Sequence, residues 1–433
     1  MREMFPLTMS QYTLIVGLIS NSDRKNSRRL NTLTCCFEWK EGSEELLNKI
    51  GNWILEHNDA FRLRPVYRFP WNWKQYIEPF EEKKLPLEYF DSDEEYEDWL
   101  MEAKDNAVLL LKDPLYDFRI LARHGNRYTL WIQMNHFVTD GYSIKLIAQQ
   151  VRALDRHFRE GESLLLPKPG SYRDYVLKEK EYRKSPQFKE DRAYWKKVFR
   201  YHKDYSSPGG ARSMHIECDS ESMTIDGKLY KDLGIFCKDH GISVASALMS
   251  SAAVTAHAIK GSTYFSMASL SYGRHDGITR RTMGAMMNSP VMMFRVDKDE
   301  SFTDFCARNY EQNLEMLRHI RYSNLDFTPL SYVLCTLHGM NYNHSWILFS
   351  NMDYESAFLD GEPKGRMFWS NTNVSQFYVA VFDIPKEDRV TIELRYQSRR
   401  FKEDEIAKLL AAYRNILSVM IENPNQSLKE LLK

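Results

Sequence analysis

The sequence predicts a mixed α/β protein in two halves, each a mixed sheet flanked by helices. Three observations lead there. The chain has 433 residues, which exceeds one ordinary core and suits two domains of roughly 200 residues each. Strand-type and helix-type segments alternate in both halves. Between the halves, Ser207-Pro208-Gly209-Gly210 cannot continue a helix or a central strand. This places one half at 1–200, a linker at 201–212 and the second half at 213–433.

In the first half, Thr32 to Trp39 is β-branched, aromatic and Cys-rich, and reads as a strand. Glu44 to Glu56 carries Leu46, Leu47, Ile50, Ile54 and Leu55 at helical spacing. Phe118 to Ala122 and Tyr128 to Met134 form an antiparallel strand pair around the turn His124 to Arg127. Ser143 to Phe158 is a helix with Ile144, Ile147, Val151 and Leu154 on one face, and two charged helices follow near Tyr172 to Lys184 and Phe188 to Phe199. In the second half, Lys228 to His240 is a helix stopped by Gly241. Val244 to Ile259 is apolar enough to be buried on most sides. Strands follow at Tyr264 to Leu270 and Val291 to Val296, then a helix from Phe302 to Arg321. Further strands are expected at Ser345 to Ser350, Phe377 to Phe382 and Val390 to Tyr396. The last helix has the clearest periodicity, with Ile406, Leu409, Leu410, Tyr413, Ile416, Leu417 and Met420 on one stripe.

Composition narrows the function. Hydrophobic residues make up 43% and charged residues 27%, the balance of a folded globular chain. Lys plus Arg equals Asp plus Glu at 59 each, without the basic excess of a nucleic-acid binder. The six cysteines include no Cys-x-x-Cys pair and sit mostly in apolar runs, as expected of reduced core residues in a cytoplasmic protein. No His/Cys cluster has zinc-ligand spacing, so no metal is expected. The start lacks signal-peptide character, and no window reaches about 18 uninterrupted apolar residues, so no membrane span is expected.

One loop carries chemistry. The strand ending at Asn135 runs into His136-Phe137-Val138-Thr139-Asp140-Gly141, and a helix that Ser143 is placed to cap comes next. A histidine at such a strand end is open to substrate, and its unperturbed pKa near 6.5 makes neutral imidazole available as a base. Acyl transfer from a thioester needs a base near the attacking amine or hydroxyl and donors near the oxyanion. Gly141 lets the backbone approach a ligand closely. Asp140 either orients the imidazole, as in a triad, or points away and pairs with an arginine; a short loop entering a helix favours the second. A core or surface histidine before an ordinary Asp-Gly turn is the simpler alternative for the loop alone.

Other segments stand in order around this loop: Pro6-Leu7-Thr8-Met9-Ser10-Gln11, Asn58-Asp59-Ala60-Phe61-Arg62, Asp113-Pro114-Leu115, Tyr194-Trp195, Gly273-Arg274, and Gly284 with Asn288 and Pro290, continued by Phe302 to Phe305 and Pro329. Together with His136 to Gly141 they resemble the condensation domains of nonribosomal peptide synthetases, within the chloramphenicol-acetyltransferase-like superfamily, over nearly the full chain. The resemblance implies two chloramphenicol-acetyltransferase-like halves set in a V, with the site in a tunnel at their junction. His136 would be the base or positioning group for the nucleophile. Asp140 would be structural, with Arg274 as candidate partner and Arg62 as a second candidate. Asn135, Asn288 and Asn351 are candidate tunnel residues, though a strand-end turn also explains Asn351. No permanent cofactor is implied. The donor would be acyl-CoA or a phosphopantetheinyl acyl or peptidyl carrier protein, and the acceptor a small-molecule amine or alcohol.

Two departures matter. The family usually has a second histidine where Asn135 stands, which weakens assignment to elongating members. Asn58 and Phe61 replace the usual His and Leu, a change of packing more than chemistry. The leading expectation is therefore amide formation from a thioester. The alternatives are a free-standing CoA-dependent O- or N-acyltransferase and a non-catalytic condensation-like recruitment module. Arg280 and Arg281 are placed to meet an acidic carrier or CoA phosphates, or form a solvated loop. The methionines from Met283 to Met293 suit an acyl wall or core filling.

Overall fold

The structure is a computed structural model that describes residues 3–20, 28–68, 72–112, 114–200, 216–323, 325–326, 347–351, 361–373 and 375–432, with backbone alone at 19–20, 68, 199–200, 347–348 and 351. The expected linker at 201–212 lies outside the described residues, as do Asp113, Pro329 and Cys335. Two compact units emerge. The first comprises Met1–Ser185, Tyr272–Met287 and Tyr354–Thr372; the second comprises Pro186–Ser271, Asn288–Asp353 and Asn373–Lys433. The units therefore differ from simple halves of the chain. The helix Pro186–Arg200 joins the second unit, where Trp195 is fully buried in the core. Two stretches of the later chain join the first.

The strands of the opening stretch are β1 (Thr32–Trp39), β2 (Leu63–Arg68), β3 (Asn72–Ile77), β4 (Leu87–Phe90), β5 (Tyr116–Arg123) and β6 (Arg127–Asn135). Then come β7 (Cys218–Ile225), β8 (Tyr264–Ser269), β9 (Val291–Arg295), β10 (Ile347–Asn351), β11 (Lys364–Phe368), β12 (Phe377–Ile384) and β13 (Arg389–Gln397).

The first unit holds a five-stranded sheet in the order β11-β1-β6-β5-β4. β1 and β6 are antiparallel, with Thr32 opposite Asn135 and Trp39 opposite Tyr128. Both are buried along almost their whole length, as central strands covered on two faces must be. β5 and β6 turn through Gly125 and Asn126, whose φ of 77° and 58° the tight turn requires. The helix Gly141–Glu160 packs Ile144, Ile147, Val151 and Leu154 inward at 0% exposure, and Trp39 Nε1 donates to Asp155 Oδ1 at 2.7 Å to tie it to β1. The helix Glu44–His57 is capped by Ser43, which accepts from Leu46 N–H. Phe61 packs edge-on against Phe118 and Tyr116.

The second unit holds a six-stranded sheet in the order β7-β13-β12-β10-β8-β9, with β10 parallel to β8 and β12 and the other pairs antiparallel. The helices Gly227–Asp239, Val244–Lys260, Phe302–Arg318 and Glu403–Glu422 contribute to its core. Gly241 ends the first of these at φ 64°. Cys35, Cys36, Cys218, Cys237 and Cys306 are buried. No single described helix is long and apolar enough to cross a membrane.

Periodicity did not announce several elements: the helix Met9–Ser20, which lacks a polar face, the β2–β3 hairpin, β4, the acid-rich helix Asp93–Ala103, β7 and β11. Ser92 accepting from Glu95 N–H, and Glu95 accepting from Asp91 N–H, form a cap that was readable in the sequence.

β11 is the test of the first unit's composition. Phe368 is 6% exposed and packs on Trp131, which packs on Trp99. Phe368→Ala is expected to cost about 3–5 kcal/mol in urea denaturation. A loss below about 1 kcal/mol would remove β11 from this core.

Candidate active site around His136

The loop after β6 is fixed by its own backbone. His136 N–H donates to the Asn31 carbonyl at 2.6 Å, just ahead of β1, and Val138 N–H donates to the Asn135 carbonyl at 3.0 Å. The ring turns back on the loop, with Nδ1 2.7 Å from the Thr139 carbonyl. A carbonyl only accepts, so in the neutral ring Nδ1 carries the hydrogen and Nε2 keeps its lone pair. Burial pushes the His136 pKa below its ordinary value, and the Asp140 charge opposes that shift. Neutral imidazole is thus the favoured form near neutral pH.

Asp140 is the N-cap of Gly141–Glu160: its Oδ1 accepts from Ser143 N–H and Ser143 Oγ, each at 2.9 Å. This corrects the expectation that Ser143 caps the helix. Its hydroxyl bridges instead, also accepting from Gly284 N–H at 3.1 Å. Oδ2 of Asp140 accepts from Arg274 Nη1 and from Met286 N–H at 3.0 Å. The pair is buried, with side-chain exposures of 3% for Arg274 and 0% for Asp140. Arg274 also donates to the carbonyls of Tyr272 at 2.6 Å, Gly284 at 3.1 Å and Thr282 at 3.3 Å. Such bonding offsets the desolvation of both charges.

The segment 272–287 reaches this carboxylate because two glycines allow it. Gly273 has φ 66°, and a Cβ there would lie 2.0 Å from the Met286 carbonyl oxygen. Gly284 has φ 138°, and a Cβ there would lie 2.1 Å from the Tyr172 ring.

A second set of buried side chains holds the loop's other flank. Gln11 Nε2 donates to the Phe137 carbonyl at 3.2 Å. Gln11 and Gln75, both 0% exposed, exchange reciprocal amide bonds at 2.9 and 3.0 Å. Tyr172 donates its one hydroxyl hydrogen to the Ala285 carbonyl at 2.8 Å, so its oxygen accepts from Thr8 Oγ1 at 3.2 Å. Thr8 and Gln11 stand in the Pro6 to Gln11 motif, which by itself points to no part in the site. Gln75 and Tyr172 carried no signal beyond being polar residues in apolar surroundings.

The other candidates divide. Gly141 is the first residue of the helix. Asn135 is 4% exposed and spent on the backbone: Nδ2 donates to the Val108 carbonyl at 2.6 Å and Oδ1 accepts from Phe137 N–H at 2.9 Å. These bonds make it a brace of the loop. Arg62 does not reach Asp140. It follows the turn after Glu44–His57, and its guanidinium donates to the carbonyls of Glu78 at 2.9 Å and Glu56 at 3.0 Å. Asn288 belongs to the second unit, where its amide donates to the carbonyls of Ile320 and Tyr322 at 2.7 and 3.0 Å. Asn351 ends β10, and its side chain lies outside the described residues. Arg280 and Arg281 are exposed on the 3₁₀ turn Thr279–Arg281, whose Thr279 is buried. Met283, Met286, Met292 and Met293 are buried core residues.

A sequence profile described as "Condensation domain" matches residues 3–432. The chain belongs to the condensation-domain family. Among curated relatives, a plipastatin synthase of Bacillus subtilis (strain 168) is 23% identical to this chain over 418 residues, 92% of this chain and 16% of that protein. A surfactin synthase of the same organism is 22% identical over 396 residues, 87% of this chain and 11% of that protein. The chain thus spans a small part of these synthases. Among solved structures, the first condensation domain of the calcium-dependent antibiotic synthetase superposes with TM-score 0.82 at 17% identity, covering 99% of this chain and 98% of that one. The starter condensation domain of rhizomide synthetase in complex with C8-CoA superposes with TM-score 0.81 at 16% identity, covering 98% and 96%. At these identities the likeness establishes the two-lobed chloramphenicol-acetyltransferase-like fold.

Arg274→Ala leaves the Asp140 charge buried and is expected to cost about 3–5 kcal/mol. Combined with Asp140→Asn, the loss should fall short of the sum of the single losses by about 1–3 kcal/mol. Additive losses in urea denaturation would refute the coupling.

Proposed function

We propose that the chain is an acyltransferase of the HxxxDG type that joins a thioester-bound acyl or aminoacyl group to an amine, with His136 Nε2 as the base. The observation that carries the reading is the His136 Nδ1 to Thr139 carbonyl bond, which leaves Nε2 unprotonated. As the amine attacks the thioester carbonyl, Nε2 takes its proton. The tetrahedral intermediate then collapses, breaking the C–S bond, and the imidazolium returns the proton to the departing thiolate. The Gly141 and Tyr142 N–H groups open the helix without intrahelical partners. That end of the helix favours the developing negative charge. Asp140 and Arg274 act on the loop, not on substrate. The donor is an acyl group on a carrier protein's phosphopantetheine or on CoA, a substrate rather than a resident cofactor.

A second reading has a free acyl-CoA as donor and an amine or alcohol as acceptor. The solved starter domain bound to C8-CoA supports it. Turnover assays with acyl-CoA and with acylated carrier separate the two: activity with CoA alone selects this reading, and strict carrier dependence selects the first.

His136→Ala should lower kcat/KM by about 10²–10⁴-fold while circular dichroism stays unchanged; full activity would eliminate the base. The pH profile follows from the direction of the pKa shift. The base works unprotonated and burial lowers its pKa, so kcat/KM should hold on acidification through the ordinary histidine value of about 6.5 and fall only below it. An acid limb above about 7 contradicts the assignment.

A further inference from the structure

The second unit contains a cavity of about 880 Å³ between its sheet and two helices. Its floor is the sheet face made by Phe377, Val379, Ile392 and Leu394. Its walls are the helices Val244–Lys260 and Glu403–Glu422. Small residues at Ala252, Ala256 and Ala412 leave the space unfilled, where larger side chains would close the core.

The two hydroxyls in the lining are already used: Thr255 Oγ1 donates to the Ser251 carbonyl at 2.8 Å and Tyr413 to the Leu248 carbonyl at 2.9 Å. The interior therefore presents hydrocarbon. The charge lies on the solvent-facing part of the lining: Lys260 and Lys408 are exposed and Arg400 is partly buried. Lys408 pairs with the exposed Asp404, one helical turn away at 3.4 Å, a weak pairing. Among the described lining residues the single acid is Glu405, and its carboxylate accepts from Lys402 N–H at the helix start.

A hydrocarbon slot with a cationic solvent-facing part fits a linear chain with an anionic head. We infer that the second unit binds a medium-chain alkyl carboxylate, its tail between the two helices and its carboxylate at Lys260 and Lys408. The His136 loop belongs to the first unit, so this site stands or falls apart from the proposed catalysis.

Isothermal titration of the full chain with hexanoate, octanoate, decanoate and decanol tests it. Expected is saturable one-to-one binding, tightening by roughly fourfold per methylene along the acid series. Ala256→Phe, which fills the slot, should weaken decanoate at least tenfold, and Ala412→Leu serves as the second filling variant if the first does not fold. Lys260→Glu with Lys408→Glu should weaken decanoate but leave decanol unchanged. His136→Ala should bind decanoate as the parent does. Absence of saturable binding, equal affinity in both filling variants, or loss of binding in His136→Ala would overturn the inference.

Discussion

The buried pair of Asp140 and Arg274 is the constraint on which the first unit's chemistry depends. A carboxylate with no solvent exposure must be surrounded by donors. Here the helix N-terminus, the Ser143 hydroxyl, the Met286 amide and the guanidinium all serve it. Arginine suits the position because its planar fork reaches the carboxylate and several carbonyls at once, which a lysine ammonium does on far fewer geometries. Satisfying Asp140 fixes where the helix begins. That fixes the loop from His136 to Thr139, and the loop decides which imidazole nitrogen holds the hydrogen.

The consequence for His136 is a ring oriented by a carbonyl and not by a carboxylate. In a serine-protease-type triad the buried acid holds the ring and stabilises the imidazolium. Here the acid four residues on is turned to Arg274, and the Thr139 carbonyl takes its place. A neutral acceptor fixes the tautomer without adding a full negative charge beside the ring, so burial prevails and the ring stays neutral. The Gln11–Gln75 amide pair and the Thr8–Tyr172 pair reinforce the loop from outside it. All four side chains are fully buried and bonded, as polar groups removed from water must be.

Local patterns in the sequence carried much of the fold. The limits of β1 were readable to the residue, and the stripe from Ile406 to Met420 stops within a turn of each end of the helix Glu403–Glu422, because continuous β-branched character and a three-four stripe leave little alternative. The reactive loop was legible as a strand end before a helix. What lay beyond reading was long-range. Arg62 and Arg274 are chemically identical candidates for Asp140, and only the folded chain brings one within reach across 134 positions. Asp and Ser are both good N-caps, and the folded chain gives the cap to Asp140, whose Oδ1 accepts from Ser143 N–H. β11 is five residues of Lys, Gly, Arg, Met and Phe. Nothing in that string marks it as the edge of a sheet whose other strands all lie before residue 136.

The interleaved make-up of the first unit also sets an order on its synthesis. When the ribosome has completed the helix Gly141–Glu160, Asp140 has no counter-ion, because Arg274 is still more than a hundred codons away. β1 remains an open edge until Lys364–Phe368 has been translated, and open edges invite pairing with other chains. Domains commonly complete from the N-terminus as the chain emerges. Here the first unit's sheet must wait for most of the second unit's sequence before β11 can close its edge.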